Sequence, residues 1–129
     1  MHFSTPIIGT ILALGTQVSA KGINCEGSSN CGLISAKLSQ IIDKANNAGN
    51  YYVFQNGEHV ACVQGGGTAQ GSLCAFPQGT NGGIEGWKVK QLLGFIKDHG
   101  CGKCGSVPRD YPNHNDVNYS GQLTVNWVQ

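Results

Sequence analysis

Two cysteine clusters at opposite ends of the chain constrain its fold more than any other feature. The first is Gly22-Ile23-Asn24-Cys25-Glu26-Gly27-Ser28-Ser29-Asn30-Cys31-Gly32-Leu33. The second is His99-Gly100-Cys101-Gly102-Lys103-Cys104-Gly105-Ser106. Cys62 and Cys74 lie between them, making six cysteines in 129 residues. Ahead of the first cluster, Pro6 to Leu14 is apolar and Val18-Ser19-Ala20 is a small-residue ending. This pattern predicts a secretory signal peptide over 1–20, cleaved after Ala20, followed by one domain over 21–129. The apolar stretch is shorter than the roughly 20 residues a membrane helix needs, so no stable membrane insertion is expected. A secreted, extracellular chain meets an oxidising environment, where an even number of cysteines reads as structural disulfides.

Helical periodicity narrows how those disulfides are arranged. Ile34, Leu38, Ile41 and Ala45, with Ile42 beside them and Gly49 as a stop, predict a first helix. Val89, Leu92, Leu93 and Ile96, ended by Gly100, predict a second. Cys31 then falls at the start of the first helix, and Cys101 and Cys104 fall just past the end of the second. Bridges between the two clusters make the helices antiparallel neighbours and leave Cys62 and Cys74 as a local pair.

Alternation and turn chemistry predict the strands. Tyr51 to Gln55 and Glu58 to Val63 flank Asn56-Gly57, the strongest short hairpin signal, because a type I′ turn needs positive φ at both positions. Ser72 to Phe76 reads as a third strand. Gln122 to Val128 alternates, with Leu123, Val125 and Trp127 on one face. Glycine-rich stretches at 65–71 and 79–83 are loops. The fold class is therefore α+β, an α/β sandwich in which two antiparallel helices pack on one face of an antiparallel sheet, stapled by disulfides.

Charge excludes one class of partner. Eight Lys and Arg face seven Asp and Glu, a net charge of +1, so nucleic-acid binding has no basic face to support it. Catalysis has no signature either. Asp98, Asp110, Asp116, His99 and His114 show no acid–base spacing, and no Gly-x-Ser-x-Gly occurs. Cys101-Gly102-Lys103-Cys104 has the spacing of a redox or zinc site, with His99 and His114 nearest, but a redox motif wants a helix to begin where this one ends. The reading is no enzyme and no cofactor. Lys37 and Lys44, and Lys90 and Lys97, flank the apolar stripes of their helices. With Lys103 they make a candidate basic contact surface, set against the plainer reading that these stems snorkel beside a buried stripe. Trp87 lies opposite the second stripe and is expected to pack under a loop. Asn118-Tyr119-Ser120 is a candidate N-glycosylation site.

The two cysteine clusters, together with Asn115-Asp116-Val117 and Gly121-Gln122-Leu123-Thr124-Val125-Asn126, resemble the killer-protein-four family. These are virally encoded killer toxins of smut fungi and their cellular relatives. The resemblance spans nearly the whole mature chain. It implies the α/β sandwich and the pairing Cys25–Cys101, Cys31–Cys104 and Cys62–Cys74. It also implies a secreted toxin that inhibits competing cells by binding a cell-surface protein, with calcium channels as the family's proposed target. This chain departs from the pattern in two ways. The family prototype has ten cysteines, and here Val53 and Lys90 stand where another bridged pair would sit. The prototype is also basic just before the cysteine numbered 62 here, whereas this chain reads Gly57-Glu58-His59-Val60-Ala61. Lys90, Lys97, Lys103 and His59 are the candidate target contacts, in a chain expected to act as a monomer. A secreted host-directed effector or binding module on the same scaffold is the alternative, and a small secreted hydrolase the third reading.

Overall fold

The computed structural model describes residues 21–129. The expected signal peptide, 1–20, lies outside the described residues. After a 3-10 turn at Ser29–Leu33, the chain forms α1 (Leu38–Ala45), β1 (Val53–Phe54), β2 (Ala61–Gln64), β3 (Ser72–Gln78) and β4 (Ile84–Glu85). It continues through α2 (Gly86–Asp98), β5 (Gly105–Pro108), the single turn α3 (Val117–Ser120) and β6 (Gln122–Val128). β2, β3, β6 and β5 make an antiparallel four-stranded sheet in that order. β1 and β4 make a separate antiparallel ribbon. The mixed α+β architecture is the one the sequence predicts.

The core is a sandwich between helices and sheet. Leu38 and Ile41 of α1, with Val89, Leu92, Leu93 and Ile96 of α2, are buried against Leu73, Ala75, Val107, Leu123 and Val125. The helices run antiparallel, as backbone contacts at both ends establish. The Leu38 N–H donates to the Gly102 carbonyl at 2.9 Å, placing the start of α1 beside the exit of α2. The Trp87 N–H donates to Asn50 at 2.9 Å, placing the exit of α1 beside the start of α2. The disulfides are Cys25–Cys101, Cys31–Cys104 and Cys62–Cys74. The first two tie the N-terminal arm to the exit of α2. The third spans opposed positions of β2 and β3.

Two local expectations fail and one strand goes unforeseen, each for a physical reason. The Asn56-Gly57 turn does not join two paired strands, because β1 pairs with β4 and β2 with β3. Gly57 has φ 81° but Asn56 is not left-handed, so the turn is not type I′. The Asn56 side chain is committed elsewhere: its Oδ1 accepts the Thr80 N–H at 3.0 Å and its amide donates to the Thr80 carbonyl at 2.9 Å. Ile34 is buried but extended, so α1 begins one turn later than its apolar stripe. Cys31 consequently sits in the 3-10 turn, ahead of the helix. β5 was invisible to periodicity, since Gly105-Ser106-Val107-Pro108 is buried throughout and has no alternation to read.

Candidate target-binding surface

Tyr51, Tyr52, Val53 and Trp87 are four of the six large hydrophobic side chains left exposed among the described residues. They gather where the ribbon runs into α2. β1 pairs Val53 with Glu85, the Gly86 N–H donates to the Tyr52 carbonyl at 2.9 Å, and the Trp87 N–H reaches Asn50. Gly86 is needed for this approach, because a Cβ there would sit 1.9 Å from the Gly49 carbonyl oxygen. With the backbones this close, residues 50–53 meet 85–87 through main-chain groups, and the bulky side chains point outward. Trp87 is 43% exposed, against the expectation that it packs under a loop. It lies two residues before the buried stripe begins at Val89, on the opposite side of the helix.

Two cations border these rings. The Lys88 ammonium lies 5.6 Å from the centroid of the Trp87 ring, within cation–π range. Lys90 Nζ donates to Asn50 Oδ1 at 2.8 Å. On the other flank the Tyr52 hydroxyl donates to Glu58, which also accepts the Gln55 N–H at 2.9 Å. These bonds push Tyr52 above its usual pKa and hold the Glu58 carboxyl below its own.

The structure divides the lysines that the sequence grouped together. Lys90 belongs to the aromatic cluster. Lys97, two turns further along α2, is exposed, and its ammonium has no hydrogen-bond or ion-pair partner among the described residues. Lys103 lies beyond the far end of α2, where its ammonium donates to the Ile34 carbonyl. Lys44 is tied to the Cys62 carbonyl at 2.9 Å. Lys103 and Lys44 therefore brace the fold. His59 is exposed ahead of β2, with Nδ1 3.3 Å from Cys62 Sγ and its ring 5.7 Å from that of Phe76. Sequence reading missed Tyr51 and Tyr52 as surface groups. The available signal was the run Tyr51-Tyr52-Val53, since three bulky residues in succession cannot all face one side of a strand.

Among the described residues no carboxylate forms an ion pair with a histidine. Asp98 and His99 are exposed at the end of α2. Asp116 caps α3 by accepting the Asn118 N–H at 2.9 Å, and His114 stacks on Tyr119 at 3.7 Å between centroids. Cys101 and Cys104 belong to different disulfides, so their C-x-x-C offers no thiolate pair. His59, Cys62 and Cys74 place ligand-type atoms within 4.8 Å of one another, but the two sulfurs are bonded to each other. What this geometry offers is a contact surface: exposed rings for apolar area, with lysines at the rim.

Comparison with known proteins adds an independent line. A family model, Kp4, matches residues 8–129. The KP4 killer toxin of Ustilago maydis P4 virus is 43% identical over 113 residues, covering 86% of this chain and 83% of that protein.

Proposed function

This chain belongs to the Kp4 family, and from that membership we propose that it is a secreted killer-type toxin that inhibits competing cells by binding a protein on their surface, with a calcium channel as the target. The carrying observation is the 43% identity to a killer toxin across 86% of this chain. Two features support it. All six cysteines are paired, which suits a protein that works outside the cell. The Tyr51–Trp87 surface has the composition of an interface hot spot, with Trp and Tyr at its centre and charge at its edge. Inhibition in this reading comes from occupancy of the target, and the chain turns over no substrate.

The test is growth of a panel of fungi and plant seedlings exposed to oxidised 21–129, with and without excess external calcium. Inhibition relieved by calcium is the expected result. Inhibition that calcium leaves untouched removes the channel and keeps the toxin. Absence of inhibition across the panel overturns the toxin reading and favours a binding module on this scaffold.

A further inference from the structure

The sheet has a second face, turned away from the helices. By alternation, Gln122, Thr124 and Asn126 of β6 project there, while Leu123 and Val125 enter the core. Gln78 faces Gln122 across the β3–β6 pair, and Ser106 faces Thr124 across β5–β6. Asn24 extends the row through a bridge to Ser106. All six of these side chains are neutral amides or hydroxyls. Thr124 Oγ1 donates to Gln78 Oε1 at 2.6 Å, and Gln122 Nε2 donates to the same oxygen at 3.2 Å. Two depressions lie over this row, of about 420 and 320 Å³, and they share Gln78 and Gln122. The only charges bordering them are Lys21 and Glu26, which neutralise each other in an ion pair. Asn118, exposed on α3, lines the larger depression.

A second, independent observation concerns Ser120. Its Oγ is buried and has no hydrogen-bond partner, the one such side-chain atom among the described residues. An unsatisfied buried hydroxyl costs about 1–3 kcal/mol, so each such atom calls for an explanation. The hydroxyl is accounted for if position 120 is read before folding, as the third residue of Asn118-Tyr119-Ser120.

We propose that Asn118 is N-glycosylated during export, and that the first sugars of the glycan lie against the Gln78–Gln122 end of the neutral row on the outer sheet face. The bond formed joins Asn118 Nδ2 to C1 of an N-acetylhexosamine. The bond broken is the one from that C1 to the pyrophosphate of a lipid-linked oligosaccharide, which leaves with the electron pair as the amide nitrogen loses a proton. A polyhydroxylated, uncharged ligand matches a row that offers donors and acceptors but no net charge. The inference rests on export, not on the toxin's target.

The full chain is expressed in a eukaryotic secretory host, once with its own first twenty residues and once with the host's leader replacing them. Intact masses are taken before and after treatment with an amidase that releases N-glycans and leaves aspartate in place of Asn118. The expected result is a glycan on the secreted wild type, lost in Asn118→Gln and in Ser120→Ala, and kept in Ser120→Thr. Secreted, disulfide-bonded protein without a glycan from the host-leader arm overturns the proposal. Failure of the native-leader arm alone overturns the signal peptide and leaves Asn118 as an acceptor. Placement of the glycan is read from the amide shifts of Gln78, Gln122 and Thr124 before and after trimming to the first sugar and then removing it. Loss of that sugar should move all three, and unchanged shifts overturn the docking on the sheet.

Discussion

The two ends of α2 are held in different ways. At its exit, Cys101 and Cys104 are bonded to Cys25 and Cys31 across sequence separations of 76 and 73 residues. At its start, the contacts to β1 and the segment before it are hydrogen bonds and the close approach at Gly86. No disulfide reaches this end among the described residues. The stapled end presents glycines and braced polar groups, whereas the unstapled end presents Tyr51, Tyr52, Val53 and Trp87 to solvent. Covalent closure lies at one end of the helix and most of the exposed apolar area at the other, with Leu33 the exposed apolar residue on the stapled side. The stapled end is packed as well as bonded, with Ile96, Cys101, Cys104 and Val107 in the core, and the ribbon end leaves its bulky side chains outside while its backbone holds it.

Breaking the stapled end should have the largest effect. By loop-closure entropy, a link across 76 or 73 residues stabilises by about 4–5 kcal/mol. Cys31→Ser with Cys104→Ser should lose less, about 2–3 kcal/mol in a denaturant titration, because Cys25–Cys101 still closes the long loop and the second bridge then closes a ring of only about ten residues. Complete reduction should unfold the chain, since small domains hold only about 5–15 kcal/mol. A reduced chain that keeps its circular dichroism and its activity contradicts the assignment of stability to this end.

The ribbon end should break more gently. Gly86→Ala forces a Cβ onto the Gly49 carbonyl and should cost about 1–3 kcal/mol. Gly94→Ala, in the same helix with open space around it, should stabilise by about 0.5–1 kcal/mol. Equal effects at the two glycines would mean that the close approach at Gly86 is not what holds the ribbon.

Function should separate from stability at Trp87. Trp87→Ala is expected to leave the thermal midpoint nearly unchanged and to weaken inhibition by about 2 kcal/mol in binding, the scale of an interface hot spot. Lys97→Glu, well along α2 from the rings, should leave potency nearly unchanged. Full potency in Trp87→Ala combined with lost potency in Lys97→Glu would move the contact surface away from the ribbon.

The smallest effect expected is on pH dependence. Glu58 is held below its ordinary pKa first by the Tyr52 hydroxyl and then by the Gln55 N–H. Its contribution is therefore complete above the usual carboxylate value of 4.5 and is lost as pH falls through the lowered folded value. Tyr52, raised chiefly by the same bond to Glu58, contributes below its usual 10.0 and loses that contribution as pH rises through the elevated folded value. The Gln55 amide shift should report release of the turn only in acid. A Gln55 resonance that titrates near neutrality contradicts this account.

Much of the fold was legible because its signals are local. The stripe from Val89 to Ile96 and the stop at Gly100 place α2, and the alternation of Gln122 to Val128 gives β6 its bounds. The candidate surface was only half legible. Lys90 was found from its position beside a stripe, while Tyr51 and Trp87 were read as a strand residue and a packed ring. Their exposure depends on where residues 49–53 meet the start of α2, a contact between segments more than thirty residues apart.

The sequence by itself determined the class of the protein, the number of cysteines available for bridging, the two amphipathic helices and the family. Each is carried by residue identity or by a period within one segment. Only the tertiary structure decided that Asn56-Gly57 joins no hairpin, that β5 exists, that Lys103 braces a carbonyl, and that four bulky side chains share one exposed corner. Those outcomes depend on which backbone groups find partners across the chain. A buried backbone donor or acceptor calls for a partner wherever it lies, and no local pattern states where that is.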